Sequence, residues 1–346
     1  MGRKDAITRD YLQNNEVFAD VFNYQLFDGE PVIRPENLME MDSSGIFFLP
    51  AVPGGKKPEE EEHAEQSRGE NSKPKPPGGS ELVKNQFRDL LRNTVIRQDS
   101  EAVYQLRLGL EPQTKVHYAM PVRNQLYDAA EYFRQVERIV QGHKSRKDHR
   151  GHSGGEYISH FYKEDRLVPV FTLTVYFGAE PWDGPMSLHE MLDTKDPEIL
   201  KFVPDYKLHL IEPSRLTEED LLKFQSSFRE VMGYIKYSKD AAALSAYTRD
   251  NPRMNMDIFA ARVISAMTNT PMPRMEEKEE KVNMCKAIDD MVAQAKAEGK
   301  SAGLAEGEVK GTIQTLTALV HDGILTVMDA AKRAGMSVED FQKMCI

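Results

Sequence analysis

The stretch AVYQLRLGLE, residues 102–111, decides the fold because its apolar and polar positions alternate. The alternate positions that form the apolar face are Ala102, Tyr104, Leu106, Leu108 and Leu110. Period two over ten residues predicts a strand with one apolar and one mostly polar face. The stretch VPVFTLTVYF at 168–177 is a β-branched and aromatic run, which predicts a second strand, buried on both faces. The short segment YKLHLI at 206–211 is suited to pair beside it.

Helices are predicted around these strands. A long helix from about Pro121 to Gln141 separates the first two, and residues 8–27 also show helical spacing. The apolar stripe expected to face the core in the long helix is Val122, Leu126, Ala129, Phe133, Val136 and Val140. Thr217 and Asp220 predict another helix start. The order strand, helix, strand, strand and then helices indicates an α/β fold with a helical C-terminal extension.

The chain is expected to contain one core and one extension. The core spans residues 1–240, and residues 53–80 within it have hardly any apolar side chains, which predicts a disordered insertion. Residues 82–91 are predicted to form a short helix or turn. The extension spans residues 241–346 and ends in a two-helix segment joined at Gly335.

Composition narrows the class of protein. The chain has 45 Lys and Arg against 55 Asp and Glu, a net charge of −10, so it is not a polyanion binder over its whole surface. With two cysteines, a disulfide framework is excluded and a reducing compartment is expected. No window has about 18 consecutive apolar residues, and the N-terminus lacks the apolar stretch of a signal peptide. We therefore expect a cytoplasmic protein that does not enter a membrane.

An acidic group of residues surrounds the alternating strand. Asp99 precedes the strand, Glu111 ends it, and Gln113 and Lys115 follow on the same parity as Glu111. Two carboxylates at one point suit Mg²⁺, which prefers oxygen ligands. Such a cation lowers the pKa of a bound water, which Gln113 could orient, while Lys115 could stabilise developing charge. Taken alone, the pattern also fits acids that are solvated at the ends of a surface strand.

The long helix is expected to carry a basic face. At 100° per residue, its members fall within about 60° of one another. They are Arg123, Tyr127, Arg134 and Arg138. Between residues 134 and 150 there are six basic and two acidic residues, a local net charge of +4. Such a patch could contact nucleic-acid phosphates, although a solvated helix face explains it equally well.

Long irregular segments of the chain resemble a known family. They are MGRKDAITRDYLQNNEVFADVFNYQLFDGEPVI, VHYAMPVRNQLYDAAEYF, GEYISHFYKEDRLVPVFTLTVYFGAEPWDGPMSLHEML and FVPDYKLHLIEP. They closely resemble the bacterial Rpn family, the recombination-promoting nucleases or putative transposases of the PD-(D/E)XK nuclease superfamily. The similarity covers nearly the whole chain apart from residues 53–80. It implies a restriction-endonuclease-like core, in which helices flank a mixed sheet.

The resemblance also implies a function and a site. A family member would be a DNA endonuclease that depends on Mg²⁺ or Mn²⁺, with Asp99 and Glu111 as acids and Gln113 in the last motif position. The family's early polar position falls at Asn15 or Glu16, which makes Glu16 a further candidate metal ligand. Arg123 and Tyr127 match an Arg and a Tyr of the family's next helix, and we expect them, with Lys115, Arg134 and Arg138, to contact DNA.

Two departures from the family pattern leave an alternative open. Pro112 lies between Glu111 and Gln113 and implies an edge or a bend that could displace Gln113. Asp99 is followed by Ser100 and Glu101, a turn with less glycine than usual in the family. The alternative is a catalytically inactive member that binds DNA or a protein. A homo-oligomer formed through the C-terminal helices is also possible on the sequence.

Overall fold

The structure is a computed structural model, and the residues it describes fall into seven segments. They are 2–42, 44–47, 83–86, 89–98, 101–146, 153–273 and 280–344. The predicted insertion at 53–80 lies outside them. The chain divides into two compact units, the first comprising Met1–Thr248 and Asp257–Asn269, the second Arg249–Met256 and Thr270–Ile346.

A five-stranded mixed sheet forms the centre of the first unit. The strands of the chain are β1 (Met39–Glu40), β2 (Ser44–Phe47), β3 (Val83–Gln86), β4 (Leu90–Gln98), β5 (Glu101–Gln113), β6 (Val170–Tyr176), β7 (Leu210–Ile211), β8 (Asn255–Asp257) and β9 (Lys281–Asn283). The large sheet has the order β1-β4-β5-β6-β7, and β2–β3 and β8–β9 form separate pairs. The first three strands of the large sheet are antiparallel, and β5, β6 and β7 are parallel.

The described chain contains helices in both units. They are α1 (Arg3–Leu12), α2 (Asn15–Phe27), α3 (Met120–Arg146), α4 (Gly154–Ser159), α5 (Leu188–Met191), α6 (Pro197–Leu200), α7 (Glu218–Lys223), α8 (Phe228–Tyr237), α9 (Ala241–Thr248), α10 (Ile258–Thr268), α11 (Met284–His321), α12 (Val327–Ala334) and α13 (Val338–Met344). Helix α1 contacts β5, and α3, which lies in the connection between the parallel strands β5 and β6, contacts β6. The prediction of an α/β fold with a mixed sheet flanked by helices is confirmed.

The strand predictions are confirmed for β5, β6 and β7 and fail for β3 and β4. β5, β6 and β7 lie where the sequence patterns placed them. The short helix or turn predicted over 82–91 is wrong, because the described residues there form β3 and the start of β4. Strand β4 pairs with β5 along nearly its whole length, from Leu90 opposite Leu110 to Gln98 opposite Glu101. This long-range pairing determines the conformation, and no local pattern reveals it.

Helix α3 is present as predicted, but it is rotated by about half a turn from the expected orientation. Its polar residues face the sheet: Asn124 donates to Thr174 at 3.0 Å, and Gln135 both donates to and accepts from the backbone of Val168. The stripe predicted to face the core is exposed at Val122 and Phe133. The prediction was wrong because β6 presents threonines and open backbone groups to this helix, and these need polar partners.

The second unit contains a small core at its C-terminal end. The end of α11 packs with α12 and α13, and the buried residues of this cluster are Ile313, Leu316, Ala330, Ala331 and Phe341. Gly335 has φ +70° and ends α12, which confirms the predicted two-helix segment joined at that residue. In the parts of the chain that the structure describes, none of the helices combines the length and apolar character needed to cross a bilayer.

Candidate active site

The β4–β5 hairpin brings two acids together. Because Leu90 pairs with Leu110, the preceding residue Asp89 lies beside the following residue Glu111. The backbone N–H of Asp89 donates to Glu111 Oε1 at 3.1 Å. The Glu111 side chain is fully buried, whereas Asp89 is half-buried. The hairpin therefore holds the buried Glu111 carboxylate against the backbone of Asp89, whose own side chain lines the neighbouring cleft.

Arg123 on the first turn of α3 faces the same point. Its Nη2 lies 3.6 Å from Glu111 Oε2, and its Nε and Nη2 donate to the Tyr127 hydroxyl at 3.0 and 2.7 Å. Tyr127 is buried, so it orients the guanidinium group one helical turn before it and does not itself form surface. The ion pair with Arg123 compensates part of the cost of burying the Glu111 carboxylate.

An open cleft of about 570 Å³ lies at this end of the sheet. Its lining residues are Gly2, Arg3, Lys4, Asp5, Asp89, Pro112, Gln113, Thr114, Lys115, Val116, His117 and Arg123. Gln113 and Lys115, which the sequence predicted to lie on the same face as Glu111, are therefore part of the cleft. Four Lys and Arg residues and two Asp residues line it, so the cleft has a positive balance although the chain as a whole is acidic.

The N-terminal helix supplies a third acid to the cleft. The Thr114 hydroxyl donates to Asp5 Oδ1 at 2.5 Å, and the Gly2 backbone N–H donates to Asp5 Oδ2 at 3.1 Å. Asp5 thus ties α1 to the residues that follow β5. Neither Asp5 nor Asp89 was identified from the sequence.

Burial and the charges of the cleft shift the pKa values of its titratable groups. Burial raises the pKa of Asp89 above its ordinary value, and although the charges of Arg9 and Arg123 lower it, that of Asp5 adds to the rise. Burial acts to lower the pKa of Arg123, but Tyr127, Glu111 and Asp89 raise it above its ordinary value. Asp89 therefore holds its proton more strongly than an exposed aspartate, while Arg123 stays charged.

We expect Asp89→Asn to stabilise the metal-free protein, and more so as the pH rises. Since the folded-state pKa of Asp89 is raised, the folded protein binds more protons than the unfolded chain just above the ordinary value of 3.8. Stability of the native protein is consequently lost as the pH rises through the folded-state pKa, and Asn, which does not titrate, avoids this loss. Urea unfolding with chelator at several values from about pH 4 to about pH 7 measures the difference. A difference that shrinks with rising pH would contradict the shift.

The acid predicted first, Asp99, lies outside the described residues. Its described neighbours Gln98 and Glu101 pair with each other at the opposite end of the hairpin. Glu101 is ten residues from Glu111, about 33 Å along an extended strand. Among the described residues, the acid whose backbone contacts Glu111 is Asp89, and the pairing of Glu111 with Asp99 stays a prediction.

Asn15 and Glu16, the early polar positions named from the sequence, do not line this cleft. Glu16 lines a different cleft of about 270 Å³, together with Asp20 and Asn23. Asn15 accepts a hydrogen bond from Arg92 and donates to the carbonyl of Pro35 at 3.1 Å. The expectation that Glu16 completes the acidic site is therefore wrong: helix α2 directs its first turn to the segment around Pro35, and the acid that α1 brings to the site is Asp5.

The predicted basic face is divided in two. Arg123 lies at the cleft, whereas Arg134 and Arg138 lie about 16 Å or more further along α3. Arg134 is 3.6 Å from Glu131 and donates to the carbonyl of Asp42 at 2.9 Å, and Arg107 also pairs with Glu131. Burial lowers the pKa of Arg107 to about 10, and the charges of Arg138 and Arg134 contribute. A second basic group therefore surrounds Glu131.

Pro112 is accommodated within β5. The ladder with β6 continues through Pro112 opposite Val175 to Gln113 opposite Tyr176, and the Phe177 N–H donates to the Gln113 carbonyl at 2.9 Å. Among the described residues, β5 has no β4 partner beyond Leu110, so Pro112 lies where β5 is locally an edge. The proline thus leaves Gln113 in the strand and in the cleft.

The oxygen atoms at this site suit a hard cation that takes only part of its ligands from the protein. Asp89, Glu111 and Gln113 offer carboxylate and amide oxygens, the ligand type that Mg²⁺ prefers. In the segments that the structure describes, there is no cluster of three or more His, Cys, Asp or Glu residues arranged to hold a metal ion. Mg²⁺ commonly binds through one or two carboxylates and keeps waters or substrate phosphates for its remaining positions, so a two-carboxylate site suits it.

Comparison of the chain with models of protein families, with curated proteins and with solved structures finds no match. The similarity to the Rpn family and its restriction-endonuclease-like core accordingly stays a prediction from the quoted segments.

Proposed function

We propose that the protein is a DNA endonuclease that depends on Mg²⁺ or Mn²⁺ and has a restriction-endonuclease-like core. The observation that supports this most directly is that Asp89, whose backbone contacts the buried Glu111 carboxylate, lines a cleft with a positive balance. Two neighbouring acids suit a phosphodiester-cleaving cation, and the surrounding cations suit a polyanionic substrate.

The residues of the cleft have distinct roles in this proposal. Asp89 and Glu111 would hold the cation, which when bound supplies a water of lowered pKa and a positive charge for the phosphate. Gln113, on the same strand as Glu111, would orient the attacking water through its amide oxygen. Lys115 and Arg123 would neutralise phosphate charge that develops as the bond to the leaving oxygen breaks.

Burial of Glu111 behind Arg123 serves the same chemistry. The guanidinium group holds the carboxylate in place through the 3.6 Å ion pair and is itself held by Tyr127. A carboxylate that is fixed before substrate arrives needs no reorganisation during the reaction. Arg123 is also one-third exposed, so the same group can reach a phosphate in the cleft.

The direct test is nicking of supercoiled plasmid DNA by the full chain. We expect cleavage with Mg²⁺ or Mn²⁺ and none with chelator, and Gln113→Ala should retain metal binding while cleavage falls by about 100-fold. Ca²⁺ serves as a control that binds oxygen ligands but is larger and takes more of them. Absence of cleavage with every divalent cation would reject the enzyme.

A second candidate function is a module that binds DNA or a protein without catalysis. The ion pair of Glu111 with Arg123 favours it, since a carboxylate engaged by arginine is less available to a cation. Calorimetric titration with Mg²⁺ or Mn²⁺ distinguishes the two: binding that is lost in Glu111→Gln supports the enzyme. No heat at millimolar metal, together with retained affinity for DNA, would support the binding module.

A further inference from the structure

The outward face of α3 carries an apolar stripe with the spacing of a helix-pairing seam. Its members are Val122, Leu126, Ala129, Phe133, Val136 and Val140. Successive members are separated by four, three, four, three and four residues, which is the heptad repeat of positions that pair two helices. A helix that packs broadly onto a core has a wider and less regular stripe.

The first unit leaves most of this stripe uncovered, although Val136 and Val140 are half-buried. Three of its larger members are exposed, Val122 by 43%, Leu126 by 44% and Phe133 by 59%. The side of α3 that packs onto β6 is the opposite one, where Asn124 hydrogen-bonds to Thr174 and Gln135 to Val168. Exposing apolar side chains to water while polar side chains are buried against the sheet is unfavourable. The exposed apolar face therefore needs another explanation.

We propose that α3 is a dimerisation helix, and that its apolar stripe packs against the same stripe of a second copy of this chain. A two-fold axis places one patch against itself, which requires a patch that does not repel its own copy. The stripe contains no charged residue, so two copies meet without like charges in the seam. Its length from Val122 to Val140 is about 27 Å, so the matching partner is a helix of five turns.

The size of the stripe sets the expected strength of the dimer. One helix pair of this length buries less than the about 800 Å² per partner of a standard interface. We therefore expect a reversible dimer with a dissociation constant on the order of micromolar. This surface differs from the C-terminal helices that the sequence suggested for oligomerisation.

Sedimentation velocity of the full chain between about 1 and about 100 µM tests the proposal, since this range brackets a micromolar constant. Wild type should pass from monomer to dimer. Phe133→Glu and Leu126→Glu should raise the dissociation constant by at least about tenfold, because each places two charges, one from each copy, in the apolar seam. Both positions are solvent-exposed in the monomer, so the circular dichroism spectrum should be unchanged.

Two matched controls make the result specific. Phe202→Glu changes a phenylalanine of the same unit that is 78% exposed but lies outside the stripe, and it should leave dimerisation unaltered. Met328→Glu places a charge on the exposed surface of α12, where Met328 is 71% exposed, and it should also leave dimerisation unaltered. A monomer at all concentrations, a dimer that survives both stripe variants, or a dimer lost only in Met328→Glu would overturn the assignment.

Discussion

Asp89→Asn should abolish metal-dependent DNA cleavage by the full chain while leaving it folded. The change removes the Asp89 carboxylate, one of the two proposed metal ligands, and keeps the size of the side chain. It also preserves the backbone N–H that donates to Glu111, so the hairpin should persist. Changes to groups that only support a metal ligand already cost about 10–100-fold, so the loss of a ligand should exceed about 100-fold. Plasmid nicking at saturating Mg²⁺ measures this.

Asp99→Asn is the matched control for this experiment. It makes the same chemical change at the acid that the sequence pattern favoured, ten residues further along the chain. Its cleavage rate should stay close to that of the native protein, and metal binding measured by calorimetry should be retained. The reverse result, with activity lost in Asp99→Asn and kept in Asp89→Asn, would restore the assignment made from the sequence.

Arg123→Met should lower the free energy of unfolding by about 3 kcal/mol in the absence of metal. Removal of one partner from a buried ion pair typically costs about 3–5 kcal/mol. The lower end of that range applies because the side chain of Arg123 is 34% exposed and that of Glu111 is not exposed at all. Urea unfolding with chelator measures the loss, and added Mg²⁺ should restore part of it because a cation can replace the guanidinium group.

A double variant separates the charge from the packing. If the loss arises from the charge of the Glu111 carboxylate once Arg123 is removed, Glu111→Gln combined with Arg123→Met should be more stable than Arg123→Met alone. Arg138→Met, on the exposed part of the same helix, should leave the unfolding free energy nearly unchanged. A double variant that is less stable than both single variants would show that Arg123 acts through Tyr127 and not through Glu111.

Local patterns in the sequence were sufficient for the central elements. The alternation at 102–111, the apolar run at 168–177 and the long helix between them all depend on periodicity, which is a property of neighbouring residues. The sequence also predicted Glu111, Gln113, Lys115 and Arg123 as site residues. Alternate positions of a strand share one face, and the position of a residue along a helix fixes the direction of its side chain. Glu111, Gln113 and Arg123 could be predicted because each is positioned by the strand or helix that contains it, and Lys115 follows two residues after the end of β5.

The partner acid could not be found in the same way. Asp89 reaches Glu111 because β4 pairs with β5 in a register where Leu90 meets Leu110, and this pairing joins residues 22 positions apart. Asp99 attracted the prediction because it is nearer to Glu111 in sequence. Recognition of residues 90–98 as a strand before the hairpin would have pointed to Asp89. The outward stripe of α3 was misassigned for a related reason, since periodicity reveals a face but not its partner.

The irregular pairing in the β4–β5 hairpin has a consequence for how the chain tolerates changes in length. The register shifts between Ile96 and Arg97, so one extra residue of β5 is taken up on the side of the hairpin away from Asp89 and Glu111. Insertions beyond this bulge would lengthen the hairpin tip without changing which residues face each other at its base. An insertion between the bulge and Leu110 would instead turn Glu111 to the other side of the sheet. Natural variation in length is therefore expected at the tip, and strict conservation of spacing at the base.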